Sequence, residues 1–497
     1  MTVWGSFTWG YADVGADVYV ALGLVMAAAQ GFTPLAFALA GAVYILIGMA
    51  YTELAATYPV AGGGQYYALR GLGDIWGFLG GSALLLDYTL DIALFATASA
   101  GYFNFFFPSI REFRLTFGPF HDINPIWGLE SLILIGFLMF LNIKGIRESS
   151  LFNEVIGAVD MFIEASIIIL GFTFAWRPEL LAHQWRFEAP SLTHFLYGTS
   201  LAIISYVGLE SISQAAQETR RPATVIPRTS LALILTVLLF AMAFPVVSLG
   251  ILPWQTIAQR EGDPVAALAS SLPLVGFLTG RAAAVLGATI LLISANTGVM
   301  GASRLTFSMS EFGLISPWFK AVHPRYHTPV RTIMVFSALA AVEALFAFIT
   351  GPRAMDTMAN MYAFGATLAY LISFISLIVL RFRDPHSPRP FRMPGNIRWR
   401  GYEIPILGFL GVLGTASMLV VVLWTHALGR IAGPAWVVGC LLYYVVYGWR
   451  SGLPILRSVP RDWIKAQMEI LEEAEEFELL EQYKASLRSY AKAGTSA

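Results

Sequence analysis

Runs of about 20 predominantly apolar residues recur along the whole chain, and that length constrains the fold more than any other feature. About 20 helical residues reach across the roughly 30 Å hydrocarbon core of a bilayer, where a helix satisfies its own backbone hydrogen bonds. Twelve such segments can be placed, near 10–30, 33–58, 76–107, 125–143, 154–176, 193–218, 229–252, 279–310, 329–351, 355–380, 403–425 and 430–449. Composition agrees: 57% of the residues are hydrophobic and 13% charged, too few charges to cover a soluble surface on 497 residues. The sequence therefore predicts an all-α polytopic membrane protein with twelve transmembrane helices.

An even number of spans puts both termini on one side, and basic residues decide which. With the termini inside, sixteen Lys and Arg ahead of the tail fall on the cytoplasmic side, Arg147, Arg220 and Arg400 among them, against eight outside. Cytoplasmic termini in the plasma membrane are the expectation. The short lead before the first span has no basic region and no clear cleavage site, so a mature start is expected rather than a signal peptide.

The net charge of −1, with no basic block, gives no reason to expect nucleic acid. Cys440 is the single cysteine, which excludes an intramolecular disulfide and a cysteine metal cluster. The histidines lie mostly in loops (His121, His183, His323, His327, His386) and none are spaced as a metal pair. No phosphate-loop, H-E-x-x-H or nucleophile motif is present, so neither an enzyme, a resident metal nor a cofactor is expected. Residues 1–452 read as one membrane domain and 453–497 as a cytoplasmic tail. In the tail Pro460 and Asp462 suit a helix start. Ile470, Ala474, Phe477, Leu480, Tyr483, Leu487 and Tyr490 recur at helical spacing opposite a glutamate-rich face. An amphipathic helix over about 460–492, docked on the protein's own cytoplasmic surface, is predicted; regulation or self-association is the other reading.

The first span is chemically odd. "YADVGADVYVALG" (11–23) carries Asp13 and Asp17 around Gly15, and each carboxylate costs about 2.5–3.5 kcal/mol in mid-membrane. The sixth span repeats the theme at Tyr206-Val207-Gly208-Leu209-Glu210. Interruptions in the first and sixth spans are what a five-plus-five inverted repeat requires, with a binding site between them at the midplane. The repeats would cover about 10–176 and 193–380, with the spans over 403–449 added. Asp17 acting only as a helix cap is the competing reading, but a cap leaves Asp13 unexplained. For Gly208 the alternative is close helix packing.

Four blocks in order carry a resemblance: Tyr51-Thr52-Glu53-Leu54 with Tyr58-Pro59 and Gly62-Gly63-Gly64; "SYVGLESISQAAQETRRPATVIPR" (205–228); "SANTGVMGASRLTFSMS" (294–310); and "RPFRMPG" (389–395). From the first span to about Arg450 the chain resembles the amino acid–polyamine–organocation permeases, whose fold is LeuT-like. The resemblance implies broken helices one and six. It also implies that first-span backbone N–H groups meet the substrate's carboxylate while the sixth span meets its amine. Here the first-span gap reads Gly15-Ala16-Asp17, with an acid where the family has a last glycine. That acid would repel a carboxylate unless it is protonated or paired.

The third span places Asp87 and Asp91 one turn apart, and like charges at that spacing favour a shared proton or cation. This stretch is also locally similar to Kup-type potassium importers, in which first- and third-span acids and tyrosines bind the ion; Tyr19 and Tyr88 stand at matching places. Substrate-binding candidates are thus Val14, Gly15, Ala16, Asp17, Tyr19, Asp87, Tyr88, Asp91, Tyr206, Val207, Gly208 and Glu210. On the fifth span Asp160 and Glu164 lie one turn apart, Asp160 near the place of a coupling lysine in the family. With Ser294, Asn296 and Thr297 of the eighth span, and Asp13, they are candidates for ion or proton coupling. Helix-to-helix hydrogen bonding is the alternative for the three eighth-span residues. Glu343 reads as a packing contact.

Acids without local basic partners must be protonated, hydrated or cation-bound. The leading expectation is a proton-coupled permease for amino acids or related organic cations, working by alternating access. A potassium importer is the second reading and a non-transporting membrane sensor the third. The partners implied are a small-molecule or cation substrate, protons or Na⁺, and the lipid bilayer; no protein partner is indicated.

Overall fold

The computed structural model describes residues 3–117, 120–145, 150–214, 216–219, 221–351, 353–399, 402–452 and 458–494. Of the residues used for orientation, Arg147, Arg220 and Arg400 lie outside these, as does the side chain of Tyr490. Eleven continuous helical stretches are long and apolar enough to cross a membrane among the described residues. The first, Val3–Thr57, has 55 residues, about 80 Å of helix for a core of about 30 Å, and must cross twice. It reverses at Gln30–Phe32, where Gln30 takes a positive φ of 49°. Twelve crossings result among the described residues.

The spans are Val3–Ala29 (one), Thr33–Thr57 (two), Asp74–Phe103 (three), Pro125–Lys144 (four), Ser150–Leu170 (five) and Leu192–Gln214 (six). Pro222–Ile251 (seven), Gly276–Glu311 (eight), Val330–Thr350 (nine), Ala354–Arg383 (ten), Ile406–Thr425 (eleven) and Gly429–Ser451 (twelve) follow. Starts and stops obey local chemistry. Asn124 caps span four by accepting from the Trp127 N–H at 3.1 Å, and Gly145 ends it in the left-handed region. Span seven begins at Pro222, ahead of its apolar run, because proline suits a first helical turn.

Large apolar side chains such as Phe162, Leu235, Leu239 and Leu413 are exposed on the outside of the bundle, as lipid-facing surface requires. Inside, the helices sort into two groups. Span three packs on eight, ten, four and nine, while span seven packs on two and one, and span six on one and two. Glycines allow the closest approaches. A Cβ on Gly298 would lie 2.4 Å from Asp91 Oδ2, and one on Gly301 would meet the Tyr88 ring at 2.8 Å, so span eight lies directly against span three.

The quoted sequence blocks meet on the face bearing both termini. Arg381 at the end of span ten donates two 2.6 Å hydrogen bonds to Glu53 of span two, and the Met393 N–H adds a third at 2.8 Å. Gly62, at φ +112°, lets the two–three connection bend so that its N–H reaches Gln214 Oε1 of span six at 3.0 Å.

The tail docks on this same face. Its helix starts after Asp462, which accepts from the Lys465 N–H at 3.0 Å, as the sequence indicates. It is not one helix, however: Trp463–Glu473 and Phe477–Gly494 are separated at Glu475, which has φ 58°. The break shifts the buried stripe to Leu471, Leu480 and Tyr483 and leaves Phe477 exposed. Arg70 joins Asp384 at 2.6 Å and donates to Gln467 at 2.7 Å; Gln467 in turn donates to the Thr57 carbonyl at 3.0 Å. Arg461 pairs with Asp74 at 2.6 Å, and Glu476 accepts from the Ala223 N–H at 3.0 Å.

Candidate functional site

Span one departs from α geometry where the sequence places the interruption, and the form of that departure is modest. Val3–Val14 passes through one 3₁₀ turn, Gly15–Asp17, into Val18–Ala29, with helical dihedrals at Val14, Asp17 and Val18. Asp17 makes no side-chain cap hydrogen bond, which removes the capping explanation for it. Gly15 serves close packing: a Cβ there would lie 2.8 Å from the Tyr11 ring. Span six breaks fully. After Leu192–Ala202 and the 3₁₀ turn Ile203–Tyr206, Val207 is extended and Gly208 has φ +109°, before Glu210–Gln214 resumes the helix. Val14, Ala16 and Val207 are fully buried around these points. A residual space of about 10 Å³, the size of one water, remains among Tyr11, Gly15 and Ser205.

The break brings span six onto Asp13. A Cβ on Gly208 would sit 2.9 Å from Asp13 Oδ2, so both the positive φ and the contact call for glycine. Asp13 Oδ1 accepts from Thr297 Oγ1 and, at 3.4 Å, from Ser294 Oγ. Span eight thus supplies two hydroxyls to span one. Asn296 is not part of this group: its Oδ1 accepts from Asn142 of span four at 2.6 Å, the helix-to-helix bond that was its alternative reading. Nor do Ser294 and Thr297 complete a site with Asp160, because their hydroxyls are committed to Asp13.

Glu210 Oε2 accepts from Tyr370 at 2.8 Å and from the Gly208 N–H at 3.2 Å. The Asp87 and Glu210 carboxyls are close enough to interact, and two neighbouring buried carboxyls repel unless a proton or a cation lies between them. Asp13, Asp17, Asp87, Asp91 and Glu210 are all close enough to feel one another's charge. No Lys or Arg comes within ion-pair distance of any of the five among the described residues. Asp17 Oδ2, Asp87 Oδ1, Asp91 Oδ1 and the Tyr88 hydroxyl are buried without a partner. Buried orphan oxygens of this kind want a proton, a water or a cation.

A second acid pair stands apart on span five. Tyr19 donates to Asp160 at 2.7 Å and Tyr11 to Glu164, while Asp160 Oδ2 and Glu164 Oε1 stay unpartnered. Tyr19 is therefore tied to span five rather than to Asp87. Tyr206 donates to the Phe37 carbonyl at 3.0 Å and stacks on Tyr44 at 4.9 Å, forming a wall. Glu343 accepts from Thr89 at 3.1 Å, a contact between spans nine and three. Sequence reasoning missed Tyr11 and Tyr370, since a tyrosine inside an apolar run carries no mark separating it from packing. Tyr362, Tyr370 and Ser373 do fall on one face of span ten, the only available hint.

Twelve crossings among the described residues, a first span tightened at Gly15–Asp17 and a sixth broken at Val207–Gly208 define a polytopic helical membrane protein, consistent with the amino acid–polyamine–organocation fold. The chain belongs to the amino acid permease family, whose model matches residues 4–447. It is 26% identical to a methylthioribose transporter of Bacillus subtilis over 79% of this chain and 85% of that protein. It is 23% identical to the branched-chain amino acid permease BcaP of the same organism, over 88% and 90%. Cationic amino acid transporter 4 of Mus musculus is 28% identical over 76% of this chain and 58% of its own length. The family and these relatives are transporters, not enzymes.

Proposed function

We propose that this chain is a proton-coupled secondary transporter of amino acids or related organic cations, working by alternating access in the plasma membrane with both termini in the cytoplasm. The observation that carries this reading is the Asp87–Glu210 pair, one acid from span three and the other from span six. The pair holds together with a proton between its members and repels when both are charged. Span three belongs to the group with four, eight and nine, and span six to the group with one, two and seven. Protonation therefore biases whether the two groups stay closed on each other.

The substrate would lie between Val14–Asp17 and Tyr206–Glu210, with Tyr88 and Asp91 on the span-three side. Unpaired carboxylates supply its polar contacts and, among the described residues, no basic side chain stands ready for a carboxylate, so the amine end is what this site recognises. The Gly208 N–H is already used by Glu210, which favours cationic over acidic substrates. Relatives named for cationic and branched-chain amino acids support that class. Asp160 and Glu164 with their tyrosines, and Asp13 with Ser294 and Thr297, are further positions where a coupling proton or Na⁺ would sit. The excess of Lys and Arg on the side of the termini supports the orientation.

Purified protein in proteoliposomes should accumulate labelled arginine or leucine only under an inward proton gradient, and Asp17→Asn should abolish accumulation at normal folded yield. Uptake indifferent to the gradient for every amino acid tried would overturn the reading.

A further inference from the structure

On the face opposite the termini, the loop joining spans seven and eight borders a cavity of about 230 Å³. That is smaller than the roughly 300–1,000 Å³ of sites for drug-sized ligands. Its charges do not cancel. Arg260 grips Asp263 through two hydrogen bonds, one of 2.6 Å, and Arg111 approaches the same carboxylate at 3.5 Å. Those three groups account for one another. Arg114, Arg353 and Glu261 line the same cavity, yet none of them has an ion-pair partner among the described residues.

Glu261 still feels Arg353 and Arg114 through space. Arg114 is held in place by Nη1 hydrogen bonds to the carbonyls of Arg111 at 2.8 Å and Phe113 at 2.9 Å. A fourth group points the same way: Asn104, 1% exposed, lines the cavity, gives its amide N–H to Glu130 at 2.6 Å and leaves its own Oδ1 without a partner. Two guanidinium groups lack an anion, while a carboxylate and a buried amide oxygen lack a donor, all around one small space.

We infer that this outer cavity binds a small zwitterion bearing an ammonium and a carboxylate, the carboxylate on Arg114 and Arg353 and the ammonium on Glu261 and the Asn104 amide oxygen. Only a molecule with both charges answers all four groups. The inference does not rest on the transport reading and concerns residues outside the acidic cluster. Burial first, then the Asp356 charge, push Glu261 up to about 7 against the pull of Arg353 and Arg114. The other charged groups facing it from neighbouring elements are Arg111, Arg260, Asp263 and Asp356, none of them a histidine. Binding should therefore weaken as pH falls through about 7, when Glu261 gains a proton and loses its hold on an ammonium.

The test is equilibrium binding of L-valine to the full chain in lipid nanodiscs, about one pH unit either side of 7. Its two half-molecules, 3-methylbutanoate and isobutylamine, serve as competitors. A valine component should be present that Glu261→Gln and the exposed-site variant Arg353→Gln each weaken by about tenfold or more. That component should survive Asp87→Asn, fade on the acid side, and resist either half-molecule alone. Arg353→Lys, keeping the charge, should retain part of it. Should Glu261→Gln fail to fold, Arg353→Gln decides. Valine binding that both outer variants leave unchanged, that Asp87→Asn alone removes, or that is absent from the wild type overturns the inference.

Discussion

Replacing Asp87 by Asn tests the coupling step most directly. The two side chains have the same shape, so the packing of span three against Gly365 and span eight is kept and the folded yield should not change. What changes is the bond to Glu210. On the proposed mechanism the two carboxyls share a proton and part when it leaves. In Asp87→Asn the amide can donate to the Glu210 carboxylate with no proton between them, and such a bond to a charged group is worth about 1.5–3 kcal/mol. Spans three and six are then latched by that amount in whichever state brings them together. Exchange between inward- and outward-facing forms should slow by about 10- to 150-fold. Initial uptake rates in proteoliposomes, with and without a proton gradient, provide the readout: the variant should be slow and indifferent to the gradient. Glu210→Gln should behave alike, and the double variant should add little. An Asp87→Asn protein that transports at the wild-type rate with the wild-type response to pH would refute the reasoning.

Four further outcomes are expected. Gly208→Ala imposes a side chain at φ +109° for about 1–3 kcal/mol and pushes on Asp13, so transport should be lost while size-exclusion behaviour stays normal; normal uptake would count against the Asp13–Gly208 contact. Glu53→Ala leaves Arg381, whose side chain is 2% exposed, without its main partner and should cost about 3–5 kcal/mol in denaturant unfolding; a loss under 1 kcal/mol would contradict the buried pair. Burial alone would raise the Asp384 carboxyl, but Arg70, with the Ser387 and Tyr58 hydroxyls, outweighs it and holds the group below its ordinary value. Its contribution to docking the tail is thus full above the ordinary carboxylate range and lost as pH falls through the lowered value, so limited proteolysis should cut the tail faster in acid, and Asp384→Asn should show the same at neutral pH. Asn296→Ala removes the bond to Asn142, worth about 0.6 kcal/mol, and should leave transport intact; abolished transport would return Asn296 to the site.

Much of the architecture was legible because lipid leaves few choices. Apolar runs of spanning length must be helices, and a glycine beside an acid inside such a run marks irregular backbone, which is why residues 15–17 and 207–208 stood out. The form of each irregularity was not legible. Gly15–Asp17 is a single tightened turn because the Tyr11 ring lies on Gly15 and keeps the helix continuous. At Gly208 the chain must turn to put Glu210 on Tyr370. The tail shows the same limit, since its spacing read as one helix and Glu475 reverses the backbone to fit contacts at Ala223 and Thr57.

The sequence by itself determined that this chain crosses the membrane many times as helices, that its spans carry acids with few basic residues among them, and roughly where two helices lose regularity, because each follows from local composition and period. Which acids meet was decided only by the packed structure. Residues 87 and 210, or 13, 294 and 297, are distant in the chain, and no local spacing encodes which faces of different helices turn toward each other. Tertiary packing assigned Asp160 and Glu164 to tyrosines, sent Asn296 to span four, and left two arginines and a glutamate facing one another across an outer cavity.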